Sequence, residues 1–390
     1  MVKFLHLSDT HLGASNFKLA EREKDFEKVF SQAISFALDQ KVDFVIHSGD
    51  LFDRAKPSMQ TLLFAIEELK RLKEGGIPFL IVPGSHDLGV EGTMISILEK
   101  VGLLTNLGDE RFLEEKDGRI LLKGEKIGQV FICGLAGKRA GIRETYSCLQ
   151  PLIQESNFRI FLFHHIVSLV PGTELFADIE LDSLPQGFDY YAGGHWHSKF
   201  LTQRGDSLIA YPGSSEYTNL SEMEKDEEKG FFFFEEGNLK WVKLDTRQII
   251  IKKVDCNNLS PEEVTKICLQ KIVPGKEGAI LIFKLIGRLG RGMKSEIDRT
   301  KVNRVGVEKG YLITKMYLTN LQNPLSKEVA AVKRRTLEEI EEEYLLAQKY
   351  SEKTIAVAKE IIRILGQEIP PAEVEKAQIE IAQLIERELL

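Results

Sequence analysis

At 390 residues and 43% apolar content the chain is long enough for two or three domains with a substantial buried core. No uninterrupted apolar stretch approaches the length of a membrane span, which excludes an integral helical membrane protein. The net charge of −7 conceals an asymmetry: residues 247–326 hold 15 Lys/Arg against 7 Asp/Glu, a net of +8, between acidic flanks of −11 and −4. A basic middle between two acidic parts points to a polyanion contact confined to that middle. Cys133, Cys148, Cys256 and Cys268 are scattered, with no Cys-x-x-Cys pair. Four buried thiols in a reducing, cytoplasmic setting fit better than a disulfide framework or a zinc ribbon. The chain opens on a core-like strand, residues 2–7, with no basic segment and apolar core before it, so no signal peptide is expected.

From residue 2 to about 244, apolar strands alternate with amphipathic helices expected over 21–38, 58–73, 93–101 and 143–154. The alternation predicts an α/β layered domain over 1–246, its second half, past Ile160, forming the second sheet of a sandwich flanked by helices. Residues 247–326 read as a small α+β module, with a strand at Ile249-Ile250-Ile251 and a helix opened by Ser260-Pro261-Glu262-Glu263. Further strands are expected at 279–285 and 311–317. Residues 327–390 read as a helical tail. Apolar positions recur there at Val329, Val332, Leu337, Ile340, Tyr344 and Ala347, then at Ile355, Ala358, Ile361, Ile362 and Leu365. After Gly366 and Pro370-Pro371 a second amphipathic helix carries Val374, Ala377, Ile381, Leu384 and Ile385.

All eight histidines fall before residue 200, most of them where an apolar run stops. Asp9 and His11 follow Phe4-Leu5-His6-Leu7, and Asp50 follows Phe44-Val45-Ile46. Ser85-His86-Asp87 follows Phe79-Leu80-Ile81-Val82, His164-His165 follows Ile160-Phe161-Leu162-Phe163, and His195 and His197 follow Tyr190-Tyr191-Ala192. Ligands collect beyond the carboxyl ends of strands in open α/β sheets, so five strands would deliver carboxylates and imidazoles to one rim. A two-metal phosphoesterase needs a carboxylate shared by both ions with oxygen and imidazole ligands around each, the ions about 4 Å apart.

Asp9-x-His11, Gly49-Asp50-Leu51-Phe52-Asp53, Pro83-Gly84-Ser85-His86-Asp87, His164 and Gly194-His195-Trp196-His197 together resemble the calcineurin-type metallophosphoesterase signature. The stretch from Leu7 to Gly13, Asp50-Leu51-Phe52-Asp53 with Pro57-Ser58, the stretch from Tyr190 to His197, and Tyr211-Pro212-Gly213-Ser214 resemble the SbcD-type DNA repair nuclease more narrowly. This is the bacterial and archaeal counterpart of the meiotic-recombination-eleven family. The resemblance implies an α/β/β/α two-sheet sandwich, a small α+β capping domain and a C-terminal helical segment. It implies a DNA exonuclease (3′→5′) and single-strand endonuclease for double-strand-break repair, cytoplasmic and nucleoid-associated. By the same resemblance Asp9, His11 and His197 hold one metal, Asp50 bridges, and His164, His195 and the residue at 85 hold the other. His86 assists the leaving oxygen, Asp87 orients His86, and Asp53 acts near the nucleophile. The implied cofactor is two Mn2+ ions. A mixed carboxylate and imidazole set without thiolate suits manganese, with iron or zinc as substitutes and magnesium poorer.

Position 85 departs from the family, which has asparagine where this chain has Ser85. A hydroxyl is shorter and a weaker neutral ligand, so the second metal is expected to be looser. His6 and His47 read as packed core histidines rather than ligands, and of His164 and His165 the family's ligand aligns with His164. Lys284, Arg288, Arg291, Lys294, Arg299, Lys301 and Arg304 are expected to meet DNA phosphates, the alternative being an ordinary solvated surface. Ile355, Ile361, Ile362, Leu365, Ile381 and Leu384 are expected to grip an SbcC-type SMC-like coiled-coil ATPase rather than only pack at home. Leu62, Leu63, Ile66 and Leu69 either make a homodimer contact, within a heterotetramer, or merely cover the sheet. Two other functions stand beside the nuclease: a general nucleotide or small-molecule metallophosphoesterase, and a catalytically weakened DNA-end-binding scaffold, for which Ser85 is the support.

Overall fold

The computed structural model describes residues 2–89, 93–137, 140–173, 176–225, 227–275, 277–324, 344, 351–365 and 374–389. The tail positions Val329, Val332, Leu337, Ile340 and Ala347 lie outside them, as does the side chain of Leu365.

Strand β1 (Lys3–Leu7) runs parallel to β2 (Phe44–His47), and β2 runs parallel to β3 (Phe79–Ile81). With Thr105–Asn106 at one edge they make one six-stranded sheet. The four-phenylalanine run returns to this sheet, Gly230–Glu235 pairing antiparallel with β1 and Asn238–Lys243 closing the edge. The second six-stranded sheet orders Phe200–Arg204, Ser207–Tyr211, Tyr190–Gly193, Phe158–Phe163, Val130–Leu135 and Glu125–Ile127. It therefore begins before Ile160, and the strands after residue 230 belong to the first sheet, two corrections to the expected halves. Neighbour choice in a sheet is a long-range pairing that apolar alternation does not encode.

The two-residue period of each strand divides its side chains between two cores. Phe4, Phe44 and Ile46 meet Ile132, Ile160, Leu162 and Tyr190 between the sheets. Leu5, Leu7, Val45 and Ile81 face the helices α1 (Ala20–Gln40), α2 (Met59–Glu74) and α3 (Met94–Lys100). Phe131, Phe161, Phe163 and Tyr191 fill a third core on the outer face of the second sheet. The phenylalanine run obeys the same rule: Phe231 and Phe233 turn to the helices, Phe232 and Phe234 to the sheet–sheet core. The result is an α/β/β/α sandwich. The helix expected over 143–154 stops at Cys148, because Leu149–Pro151 pairs with the strand Arg119–Leu122 and Pro151 cannot donate along a helix. Cys148 is half-exposed, unlike the other three thiols, and all four cysteines are free.

A further sheet orders Ile249–Asp255, Ile280–Arg288 and Ile313–Tyr317, with Leu321–Gln322 parallel to the middle strand. The helix Pro261–Lys271 opens on the expected capping box: Glu263 N donates to Ser260 Oγ, 3.3 Å, and Ser260 N to Glu263 Oε2, 2.8 Å. The chain separates into two compact units. One comprises Met1–Lys252, Ile272–Ile282 and Asn303–Lys315, the other Lys253–Lys271, Phe283–Val302 and Met316–Leu390. In the second unit the helices Glu352–Leu365 and Val374–Leu389 pack against each other. No helix among the described residues is long and apolar enough to cross a membrane.

Candidate metal centre

The parallel ladder continues past the strand ends: Ser48 N donates to Leu7 O, Asp9 N to Gly49 O, His11 N to Asp50 O and Leu12 N to Leu51 O. The two loops are thereby locked side by side. Asp9, His11, Asp50 and His195 all adopt positive φ, from 43° to 76°, a conformation that non-glycine residues keep only where surrounding bonds enforce it. Backbone donors complete the frame. His195 N donates to both Asp9 carboxylate oxygens at 3.1 and 3.2 Å, and His86 N donates to Asp50 Oδ1 at 2.7 Å. The loops meet so closely that a Cβ on Gly84 would fall 2.2 Å from Asp50 Oδ1, and one on Gly194 only 2.0 Å from Ser48 O. Gly84→Ala is therefore expected to displace Asp50 and abolish metal binding while the two cores hold. Calorimetric metal titration alongside a thermal melt checks this, and unchanged binding would sink it.

Among the described residues potential ligand atoms converge, each set within 4.8 Å, in two largely buried groups, Asp9, His11 and His197, and Asp50, His164 and His195, and in a third that reaches the exposed rim, His11, Asp53 and His86. His11 Nε2 and His197 Nε2 are 3.2 Å apart, with His197 Nε2 3.5 Å from Asp9 Oδ1. His164 donates from Nδ1 to Ser48 O, 2.7 Å, which sets its tautomer and turns Nε2 toward Asp50 Oδ2 at 3.2 Å. That Nε2 is buried and makes no hydrogen bond, and neither does His11 Nδ1. His11 Nε2 lies 3.9 Å from the same Asp50 oxygen, so Asp50 stands between the two groups.

Burial opposes ionisation of Asp9, but His197 beside it, then His164 and His11, hold its carboxyl well below the usual range. Asp50 is likewise depressed against burial, chiefly by His164. Burial resists charging of the histidines too, yet Asp50 raises His164 to about 9, and Asp9 with Glu222 raises His197 to about 10. Two buried carboxylates thus draw positive charge onto their imidazoles. Divalent cations would supply that charge and release the protons, so the donor set, the orphaned Nε2 and the constrained loops fit a pair of metals.

The remaining expected residues are placed as follows. His86 is exposed and donates from Nδ1 to the Asp53 carbonyl, 2.7 Å, with its ring edge-on to His11. Its orienting partner is therefore that carbonyl and not Asp87. The buried Asp87 carboxylate instead accepts from Leu51 N, Phe52 N and Gly84 N at 2.9 to 3.2 Å, clamping two loops, because a buried carboxylate takes the backbone donors nearest to it. Burial and the Asp50 charge nevertheless push Asp87 up to about 7. Asp53 Oδ1 lies 3.6 Å from His11 Nδ1. Ser85 is half-buried in the turn between Gly84 and His86. His165 turns away from the centre, buried against Tyr146, since successive residues leave a strand on opposite faces. His6 bonds Tyr190 and Ser48, and His47 bonds Thr10; burial keeps both readily neutral, His47 lowered to about 3.

One residue of the centre escapes sequence reading. Glu222, on the short helix Leu220–Lys225, accepts from His197 Nδ1 at 2.8 Å. It lies 25 positions from His197 in an acidic, solvent-like stretch, and nothing in its spacing marks it.

Lys284 and Arg288 sit half-buried on the strand Ile280–Arg288, and Arg288 pairs with Gln322. Lys294 is half-buried, whereas Arg291, Arg299, Lys301 and Arg304 are exposed. Arg299 and Lys301 leave their helix about 200° apart, so these two do not share one helix face. On α2, Leu69 is fully buried, and Leu62 and Ile66 pack on the helix-side core. Only Leu63 of the four is exposed, with Met59, Ile97 and Val101 nearby in sequence on α2 and α3 or just past them. In the tail helices Ile355 is buried, Ile361, Ile381 and Leu384 are half-buried, and Ile362 is exposed. Leu384 lines a groove with Ile364, so helix–helix packing takes up part of the expected stripe.

The calcineurin-like phosphoesterase family model matches residues 2–199, which contain every member of both ligand groups. That defines the class: a phosphoesterase that uses divalent metal. The Mre11 DNA double-strand break repair protein of Saccharolobus solfataricus is 38% identical over 59% of this chain and 58% of its own length. Its counterpart in Sulfurisphaera tokodaii is 34% identical over 68% of each chain, and that in Sulfolobus acidocaldarius 27% over 93% of this chain and 94% of its own. The chain belongs to the Mre11 family of calcineurin-like phosphoesterases.

Proposed function

We propose that the chain is a DNA double-strand-break repair nuclease, a manganese-dependent 3′→5′ exonuclease and single-strand endonuclease acting at DNA ends. The observation that carries the reading is the meeting of Asp9, His11 and His197 with Asp50, His164 and His195 around a shared carboxylate, in a chain of the Mre11 family. Asp9, His11 and His197 would hold one ion, His164, His195 and Ser85 the other, and Asp50 both. When bound, the ions would activate water and neutralise the phosphate. His86 stands exposed at the rim with Nδ1–H given to the Asp53 carbonyl, so that in the imidazolium form its Nε2–H would be the proton offered to the leaving 3′ oxygen. Asp87 keeps the loops bearing Asp50 and His86 in register through its three backbone bonds.

Arg291, Arg299, Lys301 and Arg304 supply exposed cations for phosphate, giving salt-sensitive, sequence-independent binding, with residues 247–326 as the capping domain. Leu63 with Met59 offers an apolar contact for a second copy, and Ile362 with Ile385 one for a coiled-coil ATPase of the SMC-like class, residues 327–390 being the binding segment.

The test is 3′→5′ degradation of labelled duplex DNA with Mn2+, this chain against Ser85→Asn. Both are expected to cut, the variant about ten-fold faster because an amide oxygen reaches further toward the second metal than a hydroxyl. If neither cuts while both bind Mn2+ and DNA, the chain is a DNA-end scaffold. If small diesters are hydrolysed and DNA is neither bound nor cut, it is a general phosphoesterase.

A further inference from the structure

Glu222 is buried and takes six donors. Its Oε1 accepts from His197 Nδ1 at 2.8 Å, Asn219 Nδ2 at 2.7 Å and Thr218 Oγ1. Its Oε2 accepts from Lys229 Nζ at 2.8 Å, Ser214 Oγ at 3.0 Å and Thr218 N at 3.1 Å. Only an ionised carboxylate is acceptor-only on both oxygens, so this donor set describes a buried anion. Lys229 is itself 3% exposed and also donates to Ser214 Oγ at 2.7 Å and to the His197 carbonyl at 3.1 Å. Ser214 N donates to the same carbonyl, 3.1 Å. His197 is therefore gripped twice, at the ring by an anion and at the backbone by a cation and an amide.

The other half of the centre is built differently. His164 leans on the neutral carbonyl of Ser48, and the neighbouring candidate oxygen ligand is the hydroxyl of Ser85. An imidazole whose far nitrogen donates to a carboxylate is a stronger metal donor than one donating to a carbonyl, and such partners change metal affinity about 10–100-fold.

We propose that Glu222 is a positioning residue which, through His197, makes the Asp9–His11–His197 half the tighter of two metal sites, with Lys229 limiting how much of its charge reaches the imidazole. The proposal rests on the two-metal reading above. It predicts ordered loading: one ion held firmly by Asp9, His11 and His197, a second bound more loosely beside Ser85.

The experiment titrates the metal-free full chain with Mn2+, following free Mn2+ by electron paramagnetic resonance, for the parent, Glu222→Gln and Lys229→Met. The parent is expected to bind two ions with distinct affinities. Glutamine keeps an acceptor for His197 but removes the charge, so the tighter site should weaken about 10–100-fold and the looser site stay as it was. Lys229→Met should leave the tighter site as tight as in the parent or tighter, although the fold loses a buried ion pair. Equal binding by the parent and Glu222→Gln overturns the proposal. So does a loss in Lys229→Met as large as in Glu222→Gln, which is what a purely structural role predicts. Proton NMR of the metal-free parent gives an arm independent of any variant: a strongly downfield Nδ1–H assigned to His197 is expected, and its absence overturns the proposal. A parent that binds no Mn2+ sinks the two-metal reading itself, a different failure.

Discussion

Asp50→Asn is expected to lower metal-dependent phosphodiester cleavage by at least about 10³-fold, equivalent to about 4 kcal/mol, while the chain stays folded. Asp50 Oδ2 lies 3.2 Å from His164 Nε2 and 3.9 Å from His11 Nε2, so its carboxylate reaches a histidine of each group. An amide in its place offers one neutral oxygen and one nitrogen that repels a cation. The variant should still fold. Asp50 Oδ1 accepts from His86 N, a bond the amide oxygen can keep, and losing the charge relieves repulsion with the buried Asp87. It also strips His164 of its buried anionic partner, so the metal-free variant should melt somewhat lower than the metal-free parent. Cleavage of a labelled duplex, Mn2+ stoichiometry and a thermal melt decide it. A variant within ten-fold of the parent rate would remove Asp50 from the shared position.

Arg22→Met is expected to cost about 3–5 kcal/mol of stability, the range for stripping one partner from a buried ion network. For a unit of this size that lowers Tm by about 5–9 °C. Arg22 is fully buried on α1. Its Nη1 donates to Asp25 Oδ2 at 2.6 Å, and its Nη2 to Glu216 Oε1 and the Tyr217 carbonyl, both at 3.2 Å. Asp25 would keep the two-point pairing from Arg247, at 2.6 and 2.7 Å. Glu216 would lose its one ion-pair partner among the described residues and keep the Tyr217 N–H and the longer-range charge of Arg247: burial already pushes its carboxyl up, and Arg22 is the largest opposing influence. Methionine fills the volume without replacing the donors. The exposed pair Lys28–Asp245, at 2.7 Å, is a control whose loss should cost under about 1 kcal/mol. Urea unfolding of both variants makes the comparison, and a cost for Arg22→Met no greater than the control's would refute the network's role.

The candidate ligand set was legible because each member stands a short distance beyond an apolar strand, and parallel strands deliver such ends to one rim. Asp9 and His11, Asp50, His164, and His195 with His197 could be named from that pattern together with the family's motifs. The partner of His86 could not: Asp87 is its neighbour in sequence, but the nearest acceptor is a carbonyl 33 residues earlier. Glu222 was invisible for the same reason, since its bond to His197 spans a whole hairpin, Phe200–Arg204 with Ser207–Tyr211, and the loop into a short helix, a path no local signal specifies. Amphipathic stripes misled where a helix has several apolar faces. Leu62, Ile66 and Leu69 share a spacing with Leu63, yet only packing shows which of them the sheet consumes.

By itself the sequence determined the layered α/β class, the capping box of the helix Pro261–Lys271, and which side chains would stand at the strand ends. These follow from periods of two and 3.6 residues and from chain direction, all of them local. Tertiary structure alone decided that the phenylalanine run returns to the first sheet, that Asp50 lies between two histidine groups, and that His197 rests on a buried Glu222–Lys229 pair. Such choices are made by contacts between residues far apart in the chain, where burial and hydrogen-bond completion select among partners that local pattern leaves equivalent.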